Sequence, residues 1–338
     1  MRRLRIGYIP LLDAALLHVA ARRGFAEAQG LAFDLVRETS WANIRDKLAL
    51  GIFDAAHMLA PAAIASTLGL GHFTAPLVAP IALGLDGNAV TLSLPLHAAI
   101  TAATDGDATD PAATARALAR VIAARRAEGL PPLALAHVFP YSTHHYQLRL
   151  WLAAGGIDPD RDLRLLVVPP PFMAESLGKG LVDGFCVGAP WNSIAEKKGV
   201  GRVLHAGSDI VRDAPEKVLA FRAEAREREP DVLAAAARAI EAAAHWVADP
   251  ANRADLGELL AREAGFDLPA ERILAILERR GERPRAWLRL DAASLVPREA
   301  QADWIFDRMV EAGQVADTPA LRAKARAVYG VSAEQGAS

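Results

Sequence analysis

The stretch YSTHHYQLR, residues 141–149, places two adjacent histidines beside a serine, a threonine and a tyrosine. An apolar run, LALAHVF (133–139), precedes it, and a run with helical spacing, YQLRLWLAAGG (146–156), follows. A helix that begins after a strand offers free backbone N–H groups and the positive end of its dipole. Histidine adds a donor that can also carry charge. This combination of groups is typical of a site for a small anion.

Two further strand ends present polar side chains in a similar way. Trp41 opens a helical run after LAFDLVRETS, and its indole N–H is another donor, while His57 lies inside the strand-like run FDAAHML. Each group also has a simpler interpretation. His57 is expected to be a satisfied core histidine, Trp41 suits a core as well as a ligand site, and the histidine pair could belong to a capped loop.

Metal binding and catalysis find little support in the residue pattern. Adjacent histidines point in different directions, and no cysteine or carboxylate cluster accompanies them in the sequence. The sequence also lacks a Gly-rich phosphate loop and the G-x-S-x-G and H-E-x-x-H motifs. Cys186, the one cysteine, lies in the apolar run DGFCVG and is expected to be a small buried apolar side chain. We expect no metal, no cofactor and no enzymatic activity.

Lys217 is chemically distinctive, because only 6 of the 38 basic residues are lysine. It lies in the polar stretch DAPEKVLAFR (213–222). A lone lysine is most often a solvated surface group. The residue pattern alone therefore leaves open whether Lys217 reaches a ligand.

The elements that must position these groups follow from an alternation of short apolar runs and helical runs. LRIGYI, LAFDLVRE and FDAAHML are predicted strands, each followed by a helix, and a second series of this kind begins at residue 133. Such βαβ alternation predicts parallel strands, with ligand groups beyond their carboxyl ends. From about residue 225 onward the pattern is almost entirely helical. We expect an α/β fold with two lobes joined by crossing strands and a ligand cleft between them.

Composition limits the possible partners and compartments. The 338 residues carry a formal net charge of -2 at pH 7, which argues against a nucleic-acid or membrane-surface protein. The N-terminus, MRRLRIGYIPLLDAALLHVAARRG, reads as a strand, a turn and a helix, because Pro10, Asp13 and His18 interrupt its apolar part. It is therefore not interpreted as a signal peptide, and we expect a cytoplasmic protein.

Three segments together resemble the nitrate/bicarbonate-binding proteins of ABC transporters, the NrtA/CmpA family. They are SWANIRDKLALGIFDAAHMLAPAAIASTLGLG, STHHYQLRLWLAAGGIDPDRDLRLLVVPPPFMAESLGKGLVDGFCVGAPWN and APEKVLAF. The resemblance runs from about residue 4 to residue 325. It implies a type II periplasmic-binding-protein-like fold with a helical C-terminal third. The predicted division is 1–92 for the first part of lobe 1, 93–188 for lobe 2, and 189–338 for the second part of lobe 1.

The resemblance also implies a ligand set for nitrate or nitrite. It assigns side-chain ligands to Trp41, His144 and Lys217, and it assigns Asn88 in place of a family glutamine. His145 would contribute its backbone N–H. Lys217 would supply a permanent charge, to which His144 would add at lower pH. In the bicarbonate-binding branch a carboxylate and a calcium ion replace the lysine, so Lys217 favours nitrate or nitrite.

The expected function is that of the leaderless, cytoplasmic branch of this family, the NasS-type nitrate/nitrite sensors. As the resemblance implies, such a sensor holds an ANTAR-domain, RNA-binding antiterminator of the NasT type and releases it when nitrate or nitrite binds. Nitrate-assimilation genes are then transcribed. The alternative is a nitrate-binding component of an ABC transporter whose leader is missing from this sequence. An enzyme similar to the thiamin-pyrimidine synthases, which share the fold, is a third interpretation.

Overall fold

The computed structural model describes residues 1–279 and 287–330, which form two mixed β-sheets covered by helices. The strands are β1 (Arg2–Tyr8), β2 (Leu31–Arg37), β3 (Ala55–Leu59), β4 (Leu77–Asp86), β5 (Asn88–Ser93), β6 (Ala134–His137), β7 (Arg164–Val167), β8 (Gly184–Gly188), β9 (Gly201–Ala206), β10 (Pro215–Arg222) and β11 (Leu288–Arg289). The α-helices in the first two thirds of the chain are α1 (Ala15–Arg22), α2 (Phe25–Ala28), α3 (Trp41–Ala49), α4 (Ala60–Thr67), α5 (Leu94–Ala103), α6 (Pro111–Ala127), α7 (Thr143–Ala154), α8 (Met173–Gly178), α9 (Trp191–Lys197) and α10 (Gly207–Ile210). The later ones are α11 (Ala225–Arg228), α12 (Pro230–Ala248), α13 (Arg253–Glu263), α14 (Ala270–Leu277), α15 (Glu299–Glu311) and α16 (Pro319–Ala327).

Each sheet is the centre of one lobe. The six-stranded sheet of lobe 1 has the order β11-β4-β10-β3-β1-β2, and the five-stranded sheet of lobe 2 has the order β7-β6-β8-β5-β9. Strands β1, β2 and β3 are parallel in lobe 1, as are β6, β7 and β8 in lobe 2. The C-terminal helices α12, α15 and α16 pack on lobe 1. The predicted two-lobed α/β fold with a helical last third is confirmed.

The chain passes between the lobes twice. Strand β4 belongs to lobe 1, and β5 begins two residues after its end but pairs with β8 and β9 in lobe 2. The return passage leads from β9, in lobe 2, to β10, in lobe 1. Lobe 2 therefore runs from about residue 88 to residue 206, whereas the predicted boundaries lie at 92/93 and 188/189. The sequence pattern distinguishes β4 from β5, but it does not show that the chain changes sheets at Gly87, between these two strands.

Local sequence signals explain where the helices begin. Asp110 caps α6 by accepting hydrogen bonds from the N–H groups of Ala112 at 3.1 Å and Ala113 at 3.2 Å, and Pro111 occupies the first helical position. Ser40 caps α3 and Ser142 caps α7 in the same manner. These two caps fix the entry points of the helices that carry Trp41 and the histidine pair.

The lobes are closed upon one another. One apolar cluster of buried side chains includes residues of both lobes, whereas a second cluster, around Val90, Leu135 and Trp151, lies within lobe 2. Main-chain atoms also meet across the cleft, where the N–H of Leu12 donates to the carbonyl of Ala189 at 2.9 Å. In the part of the chain that the structure describes, no helix is long and apolar enough to cross a membrane.

Candidate functional site

A polar chamber lies between the lobes, beyond the carboxyl ends of the parallel strands. Lobe 1 contributes the segment after β1, the first residue of α3, a residue of β3 and the start of β10. Lobe 2 contributes the first residue of β5 and the first two turns of α7. We call this set the inter-lobe chamber, and its eight residues, each buried, are Asp13, Trp41, His57, Asn88, His144, Gln147, Glu216 and Lys217.

Lys217 is the cation of the chamber. It lies on β10, an interior strand of the lobe 1 sheet, and is fully buried. Its Nζ donates to Asp13 Oδ2 at 2.9 Å and to Glu216 Oε1 at 2.5 Å, and it lies 5.4 Å from the centre of the Trp41 ring. A buried ammonium group needs such partners because desolvation opposes its charge. Burial by itself lowers the pKa of Lys217. The nearby carboxylates of Asp13 and Glu216 raise it by more than burial lowers it, so the pKa lies above its ordinary value.

Glu216 reaches the same chamber although it is adjacent to Lys217 in the strand. Successive side chains of a regular strand point to opposite faces of the sheet. The pairing of β10 with β4 shifts register on both sides of Lys217, which is the signature of a bulge or irregularity. This local irregularity explains how both side chains meet, and it is why the alternation rule did not place Glu216 in the site.

Asp13 and His57 form the lobe 1 wall. Asp13 lies in the 3-10 turn Leu12–Ala14 directly after β1, and its Oδ1 is 2.9 Å from His57 Nε2. The N–H of Ile9 donates to His57 Nδ1 at 3.4 Å, which leaves the ring proton on Nε2, facing Asp13. Burial lowers the pKa of His57, so the ring is neutral. His57 is buried, as expected for a core histidine. It lies in the polar chamber beside Asp13, however, and not in the apolar core.

Asn88 and Gln147 form the lobe 2 wall. Asn88 Nδ2 donates to Glu216 Oε2 at 2.7 Å and to Gln147 Oε1 at 3.0 Å, so both amide hydrogens of Asn88 are engaged. A Cβ at Gly207 would approach Gln147 Nε2 to 2.6 Å, so only glycine leaves room for this amide. Asn88 lies in the chamber, as the resemblance implied, but it has no spare hydrogen for a ligand. The Nε2 of Gln147, in contrast, has no partner among the described residues.

Several donors of the chamber point at no protein acceptor. Trp41 Nε1, Gln147 Nε2 and both ring nitrogens of His144 are buried and make no hydrogen bond to any described residue. The nearest carboxylate to His144 is Glu216, whose Oε1 lies 3.4 Å from Nδ1. Buried polar groups are rarely left without a partner, because the desolvation of each costs about 1–3 kcal/mol. The neutral ring of His144 has one N–H, and its other nitrogen is an acceptor. Together with the indole N–H of Trp41 and the amide of Gln147, this N–H suits a ligand that accepts hydrogen bonds on several sides.

The charges of the chamber differ from those expected. Burial strongly lowers the pKa of His144, and the nearby Lys217 lowers it further, so His144 does not add positive charge at mildly acidic pH. Burial also raises the pKa of Asp13, but Lys217 and His57 together hold it below its ordinary value. The expectation of a second, titratable cation is therefore wrong, and Lys217 is accompanied by two acidic groups.

His145 lies outside the chamber. Its backbone N–H donates to Ser142 Oγ at 3.1 Å as part of the α7 cap, so this group is not free for a ligand. Its Nδ1 lies 3.3 Å from His137 Nε2, and the two rings pack edge to face. Burial lowers the pKa of His145 to about 3, with a further contribution from His137. The predicted ligand role of the His145 N–H is contradicted by this hydrogen bond.

The remaining sequence expectations concern sulfur and metals. Cys186 is buried, and burial raises the pKa of its thiol well above the ordinary value, as expected for a small apolar residue. Across the two described ranges, no group of three or more histidine, cysteine, aspartate or glutamate side chains is arranged to hold a metal ion.

Four of the five predicted ligand residues, Trp41, Asn88, His144 and Lys217, lie together in the chamber. Sequence reasoning missed Asp13, Glu216 and Gln147 as chamber residues, and it assigned His57 to the core. The signal for Asp13 was present, because this residue follows the carboxyl end of a predicted strand. Gln147 could have been found from helix geometry, because positions 144 and 147 are three residues apart and share one face of α7.

Comparison with known proteins identifies relatives of this chain. Residues 1–261 match the model of the NMT1-like family. A bicarbonate transport ATP-binding protein, CmpC of Synechococcus elongatus, is 36% identical over 272 residues, which are 80% of this chain and 39% of the relative. The nitrate/nitrite binding protein NrtA of the same organism is 33% identical over 276 residues, which are 79% of this chain and 60% of the relative. The chain thus spans about two fifths to three fifths of the length of these relatives.

The fold is also found among solved structures. The crystal structure of the periplasmic nitrate-binding protein NrtA from Synechocystis PCC 6803 superposes with a TM-score of 0.87. The match covers 99% of this chain and 88% of that chain, at 24% sequence identity. This similarity confirms the predicted periplasmic-binding-protein-like fold.

Proposed function

Because the chain belongs to the NMT1-like family and resembles its nitrate- and bicarbonate-related members, we propose that it binds nitrate or nitrite between its two lobes. The observation that carries this proposal is the set of unpartnered donors around Lys217. Trp41, His144 and Gln147 each carry a buried N–H group that has no partner among the described residues. A small planar anion that accepts hydrogen bonds around its edge would pair with all of them.

The composition of the chamber supports nitrate or nitrite over bicarbonate. Nitrate only accepts hydrogen bonds, whereas bicarbonate also carries a hydroxyl group that donates one. The free groups of Trp41 and Gln147 are donors, and Lys217 supplies a fixed charge. Asn88 Oδ1 is a buried acceptor that makes no hydrogen bond to the described residues. A bicarbonate hydroxyl would match it, so bicarbonate is the necessary competitor in any test.

The binding test is calorimetric titration of the full chain with nitrate, nitrite and bicarbonate. We expect nitrate or nitrite to bind, and Lys217→Met to abolish binding because it removes the cation of the chamber. Lys179→Met is the matched control, since Lys179 pairs with Glu175 on an exposed helix surface. Unchanged nitrate affinity in Lys217→Met would refute the site.

Lys217→Met also leaves two buried carboxylates without their cation, which destabilises the fold by about 3–5 kcal/mol. Circular dichroism must therefore show that this variant is folded. Trp41→Phe provides a second test with less disturbance, because it removes the indole N–H and keeps a smaller aromatic ring at this position. Loss of a hydrogen bond to a charged ligand costs about 1.5–3 kcal/mol, which corresponds to a roughly 10- to 100-fold weaker affinity.

We propose that ligand binding serves regulation in the cytoplasm, as the family resemblance implies, through an ANTAR-domain antiterminator that is held in the ligand-free state and released by nitrate or nitrite. Import is the second candidate role, and it is favoured by the relatives, one of which is a bicarbonate transport protein. Size-exclusion chromatography with the antiterminator of the same genome separates these roles. A complex that dissociates on addition of nitrate supports the sensor. A stoichiometry that stays constant in saturating nitrate and nitrite contradicts it.

We further propose that the chain acts by binding and not as an enzyme. A synthase that uses pyridoxal phosphate forms an aldimine through a neutral lysine amine. Lys217 lies between two acidic groups that raise its pKa and keep it protonated. The absorption spectrum after incubation with pyridoxal phosphate is the test. A stable band of an internal aldimine, lost in Lys217→Met, would overturn this proposal.

A further inference from the structure

The inter-lobe chamber contains more negative than positive groups. Lys217 contributes one positive charge, and Asp13 and Glu216 contribute one negative charge each when ionised, so the sum is -1 before any ligand enters. The other five chamber residues are uncharged and do not change this sum: Trp41, His57, Asn88, His144 and Gln147. A monovalent anion would bring it to -2 within a fully buried space, where like charges repel strongly.

We propose that the chamber takes up an oxyanion together with one proton, which Glu216 accepts, so that anion binding is coupled to protonation of this carboxylate. The inference rests on the proposed function and concerns the regulation of the same site. When Glu216 is protonated, the net charge of Lys217, Asp13 and Glu216 is zero before the anion enters. The anion then shares Lys217 with Asp13 and meets a neutral carboxyl group at Glu216.

The surroundings of Glu216 make it the proton acceptor. On its own strand it faces Lys217, and from lobe 2 it receives a hydrogen bond from Asn88. His144 of α7 lies 3.4 Å away, and Asp13 shares the same lysine. More distant ionisable neighbours are Cys186 on β8, Tyr329 after α16 and Asp86 at the end of β4. Among these neighbours Lys217 is the one cation, while Asp13 and Asp86 are acidic.

Other groups of the chamber are less suited to take the proton. Burial raises the pKa of Glu216, Lys217 offsets part of this rise, and Asp13 adds to it. Asp13 is held in the ionised form by Lys217 and His57, despite its burial. Burial keeps the histidines His57 and His144 neutral. Glu216 is thus the chamber carboxylate whose protonated form is favoured by its surroundings.

The coupling has a direction that can be measured. If binding takes up a proton, the affinity must fall as the pH rises above the pKa of Glu216 in the free protein, by up to about tenfold per pH unit. By linkage, the bound anion must raise the pKa of Glu216 by the matching free energy. Nitrate is the suitable probe, because it remains an anion throughout the accessible pH range.

The experiment is calorimetric titration of the full chain with nitrate from about pH 5.5 to 9, in buffers of different ionisation enthalpy, which report proton uptake. Wild type is expected to bind more weakly at higher pH and to take up a proton on binding. Glu216→Gln retains the shape and the amide partners of the side chain and is permanently neutral. We expect its affinity to be independent of pH and higher than that of wild type at the alkaline end.

Asp13→Asn is the matched control because it removes the other carboxylate of the same lysine. It should also strengthen binding, but the affinity must still fall with pH, over a lower range, because Asp13 no longer raises the pKa of Glu216. Constant wild-type affinity without proton uptake would overturn the coupling and leave the proposed function intact. A pH dependence that persists in Glu216→Gln would overturn the assignment to Glu216. If wild type binds none of the three anions at any pH, the proposed function itself is wrong.

Discussion

Gln147 and His145 lie two positions apart on α7, but only Gln147 lies in the chamber. Gln147 is fully buried in the chamber, where its Oε1 accepts from Asn88 and its Nε2 is unpartnered among the described residues. His145 faces His137 away from the chamber, and its N–H belongs to the helix cap. Residues two apart on a helix do not share a face. The structure therefore places His144 and Gln147 in the chamber and His145 outside it.

Gln147→Met tests this assignment. The substitution retains much of the side-chain volume but removes the free amide donor, so we expect nitrate affinity to fall by roughly 10- to 100-fold, the loss of one hydrogen bond to a charged ligand. His145→Asn is the control and should leave nitrate affinity nearly unchanged. Calorimetric titration of both variants measures the effect. Equal losses in the two variants would show that α7 acts on the ligand only through its overall position.

Sequence reasoning succeeded at those residues whose position is set by the ends of regular elements. Trp41 and His144 each lie in the first turn of a capped helix that follows a strand, and strand ends meet at one edge of a parallel sheet. Glu216 could not be found in this way, because an irregularity of β10 brings it to the same side as its neighbour Lys217. The N–H of His145 was predicted to face a ligand without considering that the Ser142 cap of α7 accepts a hydrogen bond from this same N–H.

The two passages between the lobes are tied together by Asp86. Its N–H donates to the carbonyl of Ala214 at 3.0 Å, and its Oδ1 accepts from the N–H of Ala214 at 2.9 Å. Asp86 has a φ of 62°, in the left-handed region that asparagine and aspartate tolerate better than most residues. Burial raises its pKa to about 7, although the hydrogen bond from Ala214 opposes this rise. One carboxyl group thus joins the crossing strands.

Asp86→Asn should stabilise the protein at alkaline pH. The folded state raises the pKa of Asp86 from 3.8 to about 7, so the wild type loses stability as the pH rises between these values. The variant retains the acceptor and the backbone conformation but does not titrate. The gain over wild type should therefore be roughly 2–4 kcal/mol larger near pH 8 than near pH 4, at 1.36 kcal/mol per pH unit. Urea unfolding at the two pH values measures it.

Asp213→Asn is the matched control for this prediction. Asp213 lies on the return passage with a φ of 53°, but its side chain is 47% exposed and pairs with Arg289. Its substitution should give a much smaller difference between the two pH values. A similar pH-dependent gain in both variants would show that the effect reflects the overall charge of the passages and not the buried carboxyl group.

The order of strands and helices along the chain was predictable, but the assignment of strands to lobes was not. Apolar runs and turn residues distinguish β4 and β5 as two separate strands in the sequence. The sheet that each strand enters depends on partners far along the chain, since β5 pairs with β8 and β9. Such long-range pairing leaves no local signal, which explains the displaced lobe boundaries.

The closed arrangement of the whole molecule is held by hydrogen bonds between lobes as well as by the chamber. Trp191 Nε1 donates to the carbonyl of Pro10 at 2.9 Å, and Thr143 Oγ1 donates to the carbonyl of Pro215 at 2.6 Å. Gln314, on the lobe 1 segment between α15 and α16, makes two further bonds to lobe 2. A ligand that binds only when the lobes are closed must bind more weakly if the closed state is less populated.

Gln314→Ala tests whether closure and ligand binding are coupled. Gln314 lies outside the chamber, where its Oε1 accepts from the hydroxyl of Tyr146 at 2.8 Å and its Nε2 donates to the carbonyl of Pro140 at 3.0 Å. Loss of these partly solvated bonds should disfavour closure by about 1 kcal/mol and weaken nitrate binding roughly fivefold. Gln301→Ala is the control, because Gln301 bonds only locally to the N–H of Arg298 among the contacts described, and its loss should lower stability without changing affinity. Small-angle scattering should also show a larger radius of gyration for ligand-free Gln314→Ala than for wild type. If affinity and radius both match those of wild type, closure does not depend on the Gln314 contacts.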